Sequence, residues 1–192
     1  MKAAQLATAL KEKFGEAVTK VTEFRGETSL TIALASLKTV LRYCHDELGF
    51  DYMIDISSVD HFETEPRFEM VYEITGIEHR EHLRIKALVA DGAAVPSVTD
   101  VWLTANWHER EVYDMMGIPF EGHPDLRRIL MWEGYPYHPL RKEFPLAGKP
   151  SDMPDVAFSG IAPLEGGPFV TSPSDASTVD REPRARDFGQ DK

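Results

Sequence analysis

The sequence has one cysteine, Cys44, among its 192 residues, and it has fewer basic than acidic side chains. A single cysteine excludes a disulfide within the chain and an iron–sulfur cluster held by this chain's thiolates alone. Lys and Arg together number 21 against 32 Asp and Glu, which gives a formal net charge of −11. Because a nucleic-acid-binding protein needs a basic surface to displace phosphate counterions, we expect no nucleic-acid partner.

The sequence also lacks long apolar runs and the glycine-rich loops that bind phosphates. No run approaches the eighteen or so apolar residues of a membrane-spanning helix, so we expect no direct membrane span. Neither GxGxxG, nor a P-loop, nor the GxSxG turn of serine hydrolases occurs. Residues 1–15 have the pattern of an amphipathic helix and not of a signal or transit peptide, which predicts that the chain stays in the compartment where it is made.

Apolar residues at helical spacing predict two helices in the first fifty residues. Leu6 and Leu10 belong to the first, which we expect over residues 2–14. The segment SLKTVLRYCHDELG predicts the second helix, with Ser36 as its N-cap and Gly49 at its end.

Alternation of apolar and polar residues predicts five strands. The segments AVTKVTEF and TSLTIALA, joined by RGE, predict a hairpin. In YMIDISSVDHF we expect Tyr52, Ile54 and Ile56 to share one face. In RFEMVYEITGI and HLRIKALVAD, one face of each strand carries the apolar set Phe68, Met70, Tyr72, Ile74, Leu83, Ile85, Ala87 and Val89.

One-sided alternation is typical of an antiparallel or mixed sheet with one solvated face. The order helix, two strands, helix, three strands, helix therefore predicts a two-layer α+β domain, which we assign to residues 1–118. Residues 119–150 are predicted to form a Pro-rich docking segment. Residues 151–192 contain five of the thirteen prolines and no Trp or Tyr, which predicts an extended or disordered C-terminal arm. A disordered tail and an arm that orders on a partner fit this composition equally.

The third helix is predicted to run from an N-cap at Thr104 to Met116. One stripe of this helix is expected to pack on the sheet, and it consists of Ala105, His108, Val112, Met115 and Met116. The opposite stripe consists of Trp107, Arg110, Glu111 and Asp114. Charged stripes are usually solvated, but a large indole seldom belongs in a water-facing row, which favours contact with a partner.

We predict no catalytic, cofactor-binding or metal-binding residues. HEREV begins like the zinc motif HExxH, but Val112 stands where the second histidine is needed. Arg110 is expected to keep the neighbouring carboxylates ionised, which does not suit a general acid. A stand-alone metalloenzyme that uses His108, His123 and His138 remains an alternative, because folding can bring them together.

Four prolines between residues 124 and 145 oppose regular structure and stiffen an extended path that is rich in Arg and aromatic residues. Such residues are the usual anchors of protein interfaces, although a long surface loop packed on its own domain is the alternative. We predict partner-docking roles for Trp107, Glu109, Arg110, Glu111, Asp114, His123, Arg127, Arg128, His138 and Arg141.

The segments EREVYDMMGIPFEGHPDLRRIL and GYPYHPLRKEFPL resemble the signature of the 30-kDa subunit family of NADH-quinone oxidoreductase, the respiratory complex I. The resemblance covers residues 1–148. Tyr137 and Glu143 stand where the family often has Gly and Asp, which can alter a local turn or contact.

The resemblance implies a non-catalytic structural subunit of the hydrophilic arm that binds no cofactor itself. FMN, iron–sulfur clusters and quinone would lie in neighbouring subunits, which pass electrons from NADH to quinone and couple this to proton translocation. The expected partners are the large quinone-site subunit, the terminal-cluster subunit and other subunits of the hydrophilic arm. The expected location is peripheral, on the cytoplasmic side of a bacterial cell membrane. The equivalent subunit of a membrane-bound hydrogenase or of another dehydrogenase complex is the alternative.

Overall fold

The computed structural model describes residues 3–132 and 134–146, and it contains three α-helices and seven strands in that part of the chain. Their bounds in chain order are α1 Ala3–Phe14, β1 Val18–Phe24, β2 Glu27–Ile32, α2 Leu37–Asp46, β3 Tyr52–Asp60, β4 Phe68–Thr75, β5 His82–Val89, β6 Val95–Pro96, α3 Ala105–Met116 and β7 Phe120–Glu121. The α+β class and the predicted order of the main elements are confirmed. The sequence did not predict the two-residue strands β6 and β7.

Five strands form one sheet in the order β1-β2-β5-β4-β3. β2 pairs with β5 in parallel and the other neighbours pair antiparallel, so the sheet is mixed. β1 and β2 are joined by Arg25 and Gly26, whose φ angles are 52° and 83°. Two central residues with positive φ are typical of the type I′ turn, whose twist matches that of a hairpin. The predicted hairpin is therefore confirmed.

One face of the sheet is buried in a core that it shares with α1, α2 and α3, and the other face carries charged pairs. The eight apolar residues predicted to alternate on β4 and β5 are all buried. On the other face, Lys86 lies 2.8 Å from Glu69, and Arg84 pairs with Glu73 on the facing strand. Opposite charges on adjacent strands stabilise the solvated face modestly. The one-sided prediction for these strands is correct.

The predicted alternation on β3 is wrong at its start. A register shift lies between Met53 and Asp55 where β3 pairs with β4, so Ile54 is the extra residue of a bulge. A bulge puts two residues opposite one and reverses the alternation beyond it. As a result Met53 and Ile56 are both buried, whereas Tyr52 and Ile54 are exposed.

The predicted side-chain caps of α2 and α3 are also wrong. Neither Ser36 nor Thr104 makes a capping hydrogen bond, and both already have helical backbone angles. A short 3₁₀ helix, Leu34–Ser36, leads into α2. The first amides of α3 bond to the carbonyls of residues 102–104. Such i→i+3 bonds satisfy helix-start amides without a side-chain acceptor.

The part of the docking segment that the structure describes, residues 119–132 and 134–146, lies in the same compact unit as the sheet. The predicted arm, 151–192, lies outside the described residues. Among the residues described, no helix has the length and apolar character needed to cross a membrane.

We predict that Leu41→Ala lowers the free energy of unfolding by about 2–5 kcal/mol, because Leu41 is wholly buried and its removal leaves a cavity. Leu103→Ala is the matched control, since Leu103 is 88% exposed and its loss should change stability by less than about 0.5 kcal/mol. Urea unfolding of the full chain measures both variants. Equal destabilisation would show that the core is assigned wrongly.

Candidate functional site

The Asp114 carboxylate on α3 is buried and binds the backbone of the Pro-rich segment. Its Oδ2 accepts hydrogen bonds from the backbone N–H groups of Ile129 (3.0 Å), Leu130 (2.7 Å) and Met131 (2.8 Å). Its Oδ1 accepts one from Arg128 Nη1 at 2.5 Å. A carboxylate with three backbone donors and one guanidinium is fully satisfied, so it anchors the turn at residues 128–131 to α3.

These hydrogen bonds outweigh the effect of burial on the ionisation of Asp114. Burial alone raises its pKa, but the three backbone N–H groups and Arg128 favour the charged form, and the pKa is lowered overall. Asp114 is therefore ionised at neutral pH. The turn is held by charge-assisted hydrogen bonds, which are stronger than neutral ones.

Arg110, one helical turn before Asp114, binds the carbonyl groups of the same turn. Its Nε donates to the Arg127 carbonyl and its Nη2 to the Arg128 carbonyl, both at 3.1 Å. Its guanidinium also lies 5.3 Å from the ring centroid of Trp107. Arg110 is buried beneath the segment, and Trp107 covers it from outside while itself remaining 62% exposed.

The C-terminal end of α3 receives donors from the Pro-rich segment. The carbonyls of residues 114–116 have no partner within the helix. They accept hydrogen bonds from Arg128 Nη1 (3.2 Å), His138 Nδ1 (3.0 Å), the Leu140 amide (3.1 Å) and Arg141 Nε (2.6 Å). The segment thus caps the helix that anchors it.

Gly117 is required where α3 ends. It has φ of 72° and places its N–H on the Tyr113 carbonyl. A Cβ at this position would lie 2.5 Å from Nε2 of His138, the residue that caps the helix. Both the left-handed backbone and the close approach of His138 favour glycine here.

A second ionic cluster fixes the far end of the segment. The Asp60 carboxylate, at the end of β3, accepts from Arg67 Nη2 (2.7 Å) and from the Lys142 amide (2.9 Å). Arg141 reaches Asp91 at 3.2 Å, and Glu143 pairs with Arg67. The Arg67 hydrogen bond is the main cause that holds the pKa of Asp60 well below its usual range. The segment is therefore attached to the sheet as well as to α3.

Glu109 is buried on a different side of α3 from Arg110. Its Oε1 accepts the Val98 N–H at 2.7 Å, and its Oε2 lies 4.0 Å from His123 Nε2. Burial raises the pKa of Glu109 to about 7. The expectation that Arg110 keeps neighbouring carboxylates ionised is therefore wrong for Glu109, because the Arg110 guanidinium reaches the turn at residues 127–128 instead.

His123 closes the turn after β7. Its Nδ1 accepts the Asp125 N–H at 3.0 Å, so we assign the ring proton to Nε2, which lies 3.2 Å from the Asn106 carbonyl. The turn is thus joined to the first turn of α3.

Three of the ten predicted docking side chains are exposed: Trp107, Glu111 and Arg127. The other seven are engaged within the chain's own fold: Glu109, Arg110, Asp114, His123, Arg128, His138 and Arg141. The docking role itself stays a prediction. Helical periodicity misplaced Arg110 and Asp114, since it could not show that residues 127–131 cover that face.

The three histidines of the metalloenzyme alternative have separate hydrogen-bond partners. His108 Nδ1 lies 3.2 Å from Asp55, whereas His123 and His138 bond to the carbonyls of Asn106 and Asp114. In the ranges that the structure covers, no group of three or more His, Cys, Asp or Glu side chains could hold a metal ion. His108 is partly buried, and its contact with Asp55 of β3 agrees with the prediction that it packs on the sheet.

The sequence did not single out Asp60, Arg67 and Asp91, which hold the far end of the segment. These residues lie about 50–80 positions before their partners in the segment. No short spacing signals such a cluster.

We predict that Arg128→Ala lowers the free energy of unfolding by about 3 kcal/mol, because it removes one partner of a buried ion pair. Arg127→Ala is the control on the adjacent residue. Its side chain is 64% exposed, so its loss should cost less than about 0.5 kcal/mol. Chemical unfolding of the full chain distinguishes the two, and an equal effect would contradict the assigned burial.

We predict that the chain becomes less stable as the pH rises from 5 to 7.5. The pKa of Glu109 is about 7 in the folded chain against an ordinary 4.5, so the native state holds the proton more tightly than the unfolded state. Protonation of Glu109 makes its full contribution to the free energy of unfolding below pH 4.5. This contribution is lost as the pH rises towards 7, and the free energy of unfolding falls by roughly 2 kcal/mol between pH 5 and 7.5. Asp60 and Asp114 have lowered pKa values and titrate below this window.

Glu109→Gln should abolish this loss, and urea titrations at the two pH values measure it. Glu111→Gln is the control, since Glu111 is exposed on the same helix. If Glu109→Gln keeps the full pH dependence, another group is responsible.

Comparison with known proteins identifies the family. A family model described as "Respiratory-chain NADH dehydrogenase, 30 Kd subunit" matches residues 30–150. An NADH-quinone oxidoreductase subunit of Geotalea uraniireducens is 44% identical over 140 residues, which cover 72% of this chain and 85% of that protein. The corresponding NADH-quinone oxidoreductase subunit of Rhizobium meliloti is 42% identical over 160 residues, which cover 82% of this chain and 88% of that protein.

Two solved structures share the fold. A trypsin-resistant fragment of Nqo5 matches with a TM-score of 0.56 and 28% identity, over 63% of this chain and 98% of the fragment. A chain of the membrane-bound sulfane sulfur reductase, an archaeal respiratory membrane complex, matches with a TM-score of 0.65 and 23% identity, over 74% of this chain and 85% of that chain. The charged segment that is folded over α3 lies within the matched range, and the chain belongs to the 30-kDa subunit family of the respiratory-chain NADH dehydrogenase.

Proposed function

We propose that this chain is a non-catalytic structural subunit of the hydrophilic arm of NADH-quinone oxidoreductase. Its relatives at 40–46% identity carry names that assign them to that enzyme. The non-catalytic role is supported by the contacts that the charged side chains of α3 and of the Pro-rich segment make. Asp114, Arg110 and Arg141 bind backbone groups of this chain, so they position a surface rather than a substrate.

The cofactors of electron transfer would belong to neighbouring subunits. FMN and the iron–sulfur clusters would carry electrons from NADH to quinone, coupled to proton translocation, and this chain would bind none of them. Cys44 supports this division, because its burial raises the pKa of the thiol to about 12 and keeps it from acting as a thiolate ligand.

The partners we propose are the large quinone-site subunit and the terminal-cluster subunit. The chain would then be peripheral, on the cytoplasmic side of a bacterial cell membrane. Both proposals follow from the family, and docking requires an exposed surface on this chain that can hold a neighbour.

We propose the outer side of α3 and the segment over it as that surface. Trp107 is 62% exposed and Leu130 is 60% exposed, and the carboxylate of Glu111 and the guanidinium of Arg127 lie on the same two elements. Apolar anchors with a polar rim are typical of protein interfaces. The surface is preorganised, since Arg110 supports Trp107 and Asp114 fixes the amide of Leu130. A fixed surface binds with a smaller entropic cost.

We predict that Trp107→Ser weakens the affinity for the quinone-site subunit, with a loss of about 2 kcal/mol or more, roughly thirty-fold, because it removes an interface anchor. The measurement is the amount of that subunit that co-purifies with the tagged full chain from mildly solubilised membranes. Phe24→Ser is the matched control, since Phe24 is 67% exposed on the β1–β2 hairpin and also has an arginine over its ring.

Stability must be measured alongside, and both variants should unfold at the wild-type urea concentration because both rings are exposed. Undiminished co-purification of Trp107→Ser would contradict the proposed surface. If only Phe24→Ser loses the complex, the interface lies on the β1–β2 hairpin and not on α3.

A further inference from the structure

The imidazole of His123 places one N–H donor near two acceptors inside the protein. Its Nε2 lies 3.2 Å from the Asn106 carbonyl oxygen and 4.0 Å from Glu109 Oε2. Its Nδ1 accepts the Asp125 N–H, so Nε2 is the nitrogen that carries the ring proton. Because 4.0 Å is too long for a hydrogen bond, the N–H belongs to the Asn106 carbonyl in this arrangement.

The second acceptor, Glu109 Oε2, is buried without a donor. The side chains of Glu109 and His123 have no exposed surface, and Oε2 has no hydrogen-bond partner among the residues described. The other carboxyl oxygen, Oε1, accepts the Val98 N–H at 2.7 Å. Burial of a charged oxygen without a hydrogen bond is costly, so this arrangement suits a neutral Glu109. Ionisation of Glu109 would require a donor at Oε2.

The groups that surround Glu109 on the neighbouring elements are already engaged or neutral. Lys38 on α2 pairs with Asp100 at 3.0 Å, and both side chains reach the solvent. The Tyr72 phenol on β4 stays neutral at physiological pH, because burial raises its pKa well above the ordinary value. The Ser97 hydroxyl favours the ionised form of Glu109, but it also shares a hydrogen bond of 3.0 Å with the Thr99 hydroxyl.

The charges beside His123 are likewise paired. The Asp125 carboxylate lies 2.8 Å from Arg127 Nε, and both side chains are exposed. The buried donor that ionised Glu109 can recruit is therefore the His123 Nε2–H, which needs to move by about 1 Å to come within hydrogen-bond distance.

We propose that Glu109 and His123 form a proton-controlled switch in which the His123 N–H changes its acceptor. While Glu109 is neutral, its carboxyl group is a weak acceptor, and the N–H donates to the Asn106 carbonyl. When Glu109 releases its proton to the solvent, the carboxylate becomes the stronger acceptor. The imidazole then turns towards Oε2 and leaves the Asn106 carbonyl.

The switch changes how the turn after β7 is attached to α3. Its contact moves from Asn106, in the first turn of the helix, to Glu109, three residues further along. Burial raises the pKa of Glu109 to about 7, so the exchange occurs near neutral pH. The start of the Pro-rich segment thus responds to proton concentration. This inference goes beyond the proposed docking function and does not rest on it, because the switch lies within the chain.

Nuclear magnetic resonance of the full chain with ¹⁵N-labelled histidine tests the switch. The His123 Nε2–H proton should shift downfield from pH 6 to pH 9, because a hydrogen bond to a carboxylate is shorter than one to a carbonyl. Glu109→Gln should keep the pH 6 resonance at both pH values, since its amide does not ionise. Glu111→Gln is the control on the exposed side of α3 and should shift like the wild type. An unshifted wild-type resonance, or a shift that Glu109→Gln retains, would overturn the proposal.

Crystal structures of the wild-type full chain at the same two pH values need no variant to fold. At pH 9 the distance from His123 Nε2 to Glu109 Oε2 should shorten to about 2.8 Å, and the contact with the Asn106 carbonyl should lengthen. An unchanged separation at both pH values would contradict the switch. So would a different donor at Oε2 at pH 9, whether the Ser97 hydroxyl, the Lys38 ammonium or a water molecule.

Discussion

The Asp114 carboxylate is the interaction on which the charged part of this protein depends. It lies in the last turn of α3, where the helix dipole disfavours a negative charge, and it is satisfied by three consecutive backbone amides and by Arg128. The same stretch of chain returns donors to the carbonyls that end the helix. Helix and segment therefore stabilise one another, and neither end is satisfied alone.

The charged residues of α3 and of the Pro-rich segment therefore fall into two groups. Arg110, Asp114 and Arg141 hold the segment in place, whereas the exposed Glu111 and Arg127 belong to the surface that we propose for contact with a neighbour. A substitution in the first group would damage assembly by unfolding the surface. A substitution in the second would damage it by weakening the contact. Stability and assembly must therefore be measured together before a residue of this family is called an interface residue.

The sheet and the first two helices were predictable because a single buried face fixes the period of apolar residues, as on β4 and β5. The exceptions arise where a local irregularity resets that period. The bulge at Ile54 reverses the alternation on β3, and the 3₁₀ start of α2 replaces the cap expected from Ser36. The residue types at these positions predict neither the bulge nor the 3₁₀ turn.

The sequence indicated which charged residues of α3 and of the Pro-rich segment are important, but it did not indicate their hydrogen-bond partners. The density of Arg, Asp and Trp drew attention to the segment from 107 to 145, and the ionic contacts between α3 and the Pro-rich segment lie within it. However, the common rule that a charged helix face is solvated failed at Asp114, because donors 14–17 positions later fold back over it.

Hydrogen exchange at the amides of Ile129, Leu130 and Met131 in the full chain tests most directly whether Asp114 organises the segment. All three amides donate to one buried carboxylate, so they should exchange as slowly as amides in the middle of α3, although they lie in no helix or strand. Exchange at the rate of an unstructured peptide would contradict the central role of Asp114.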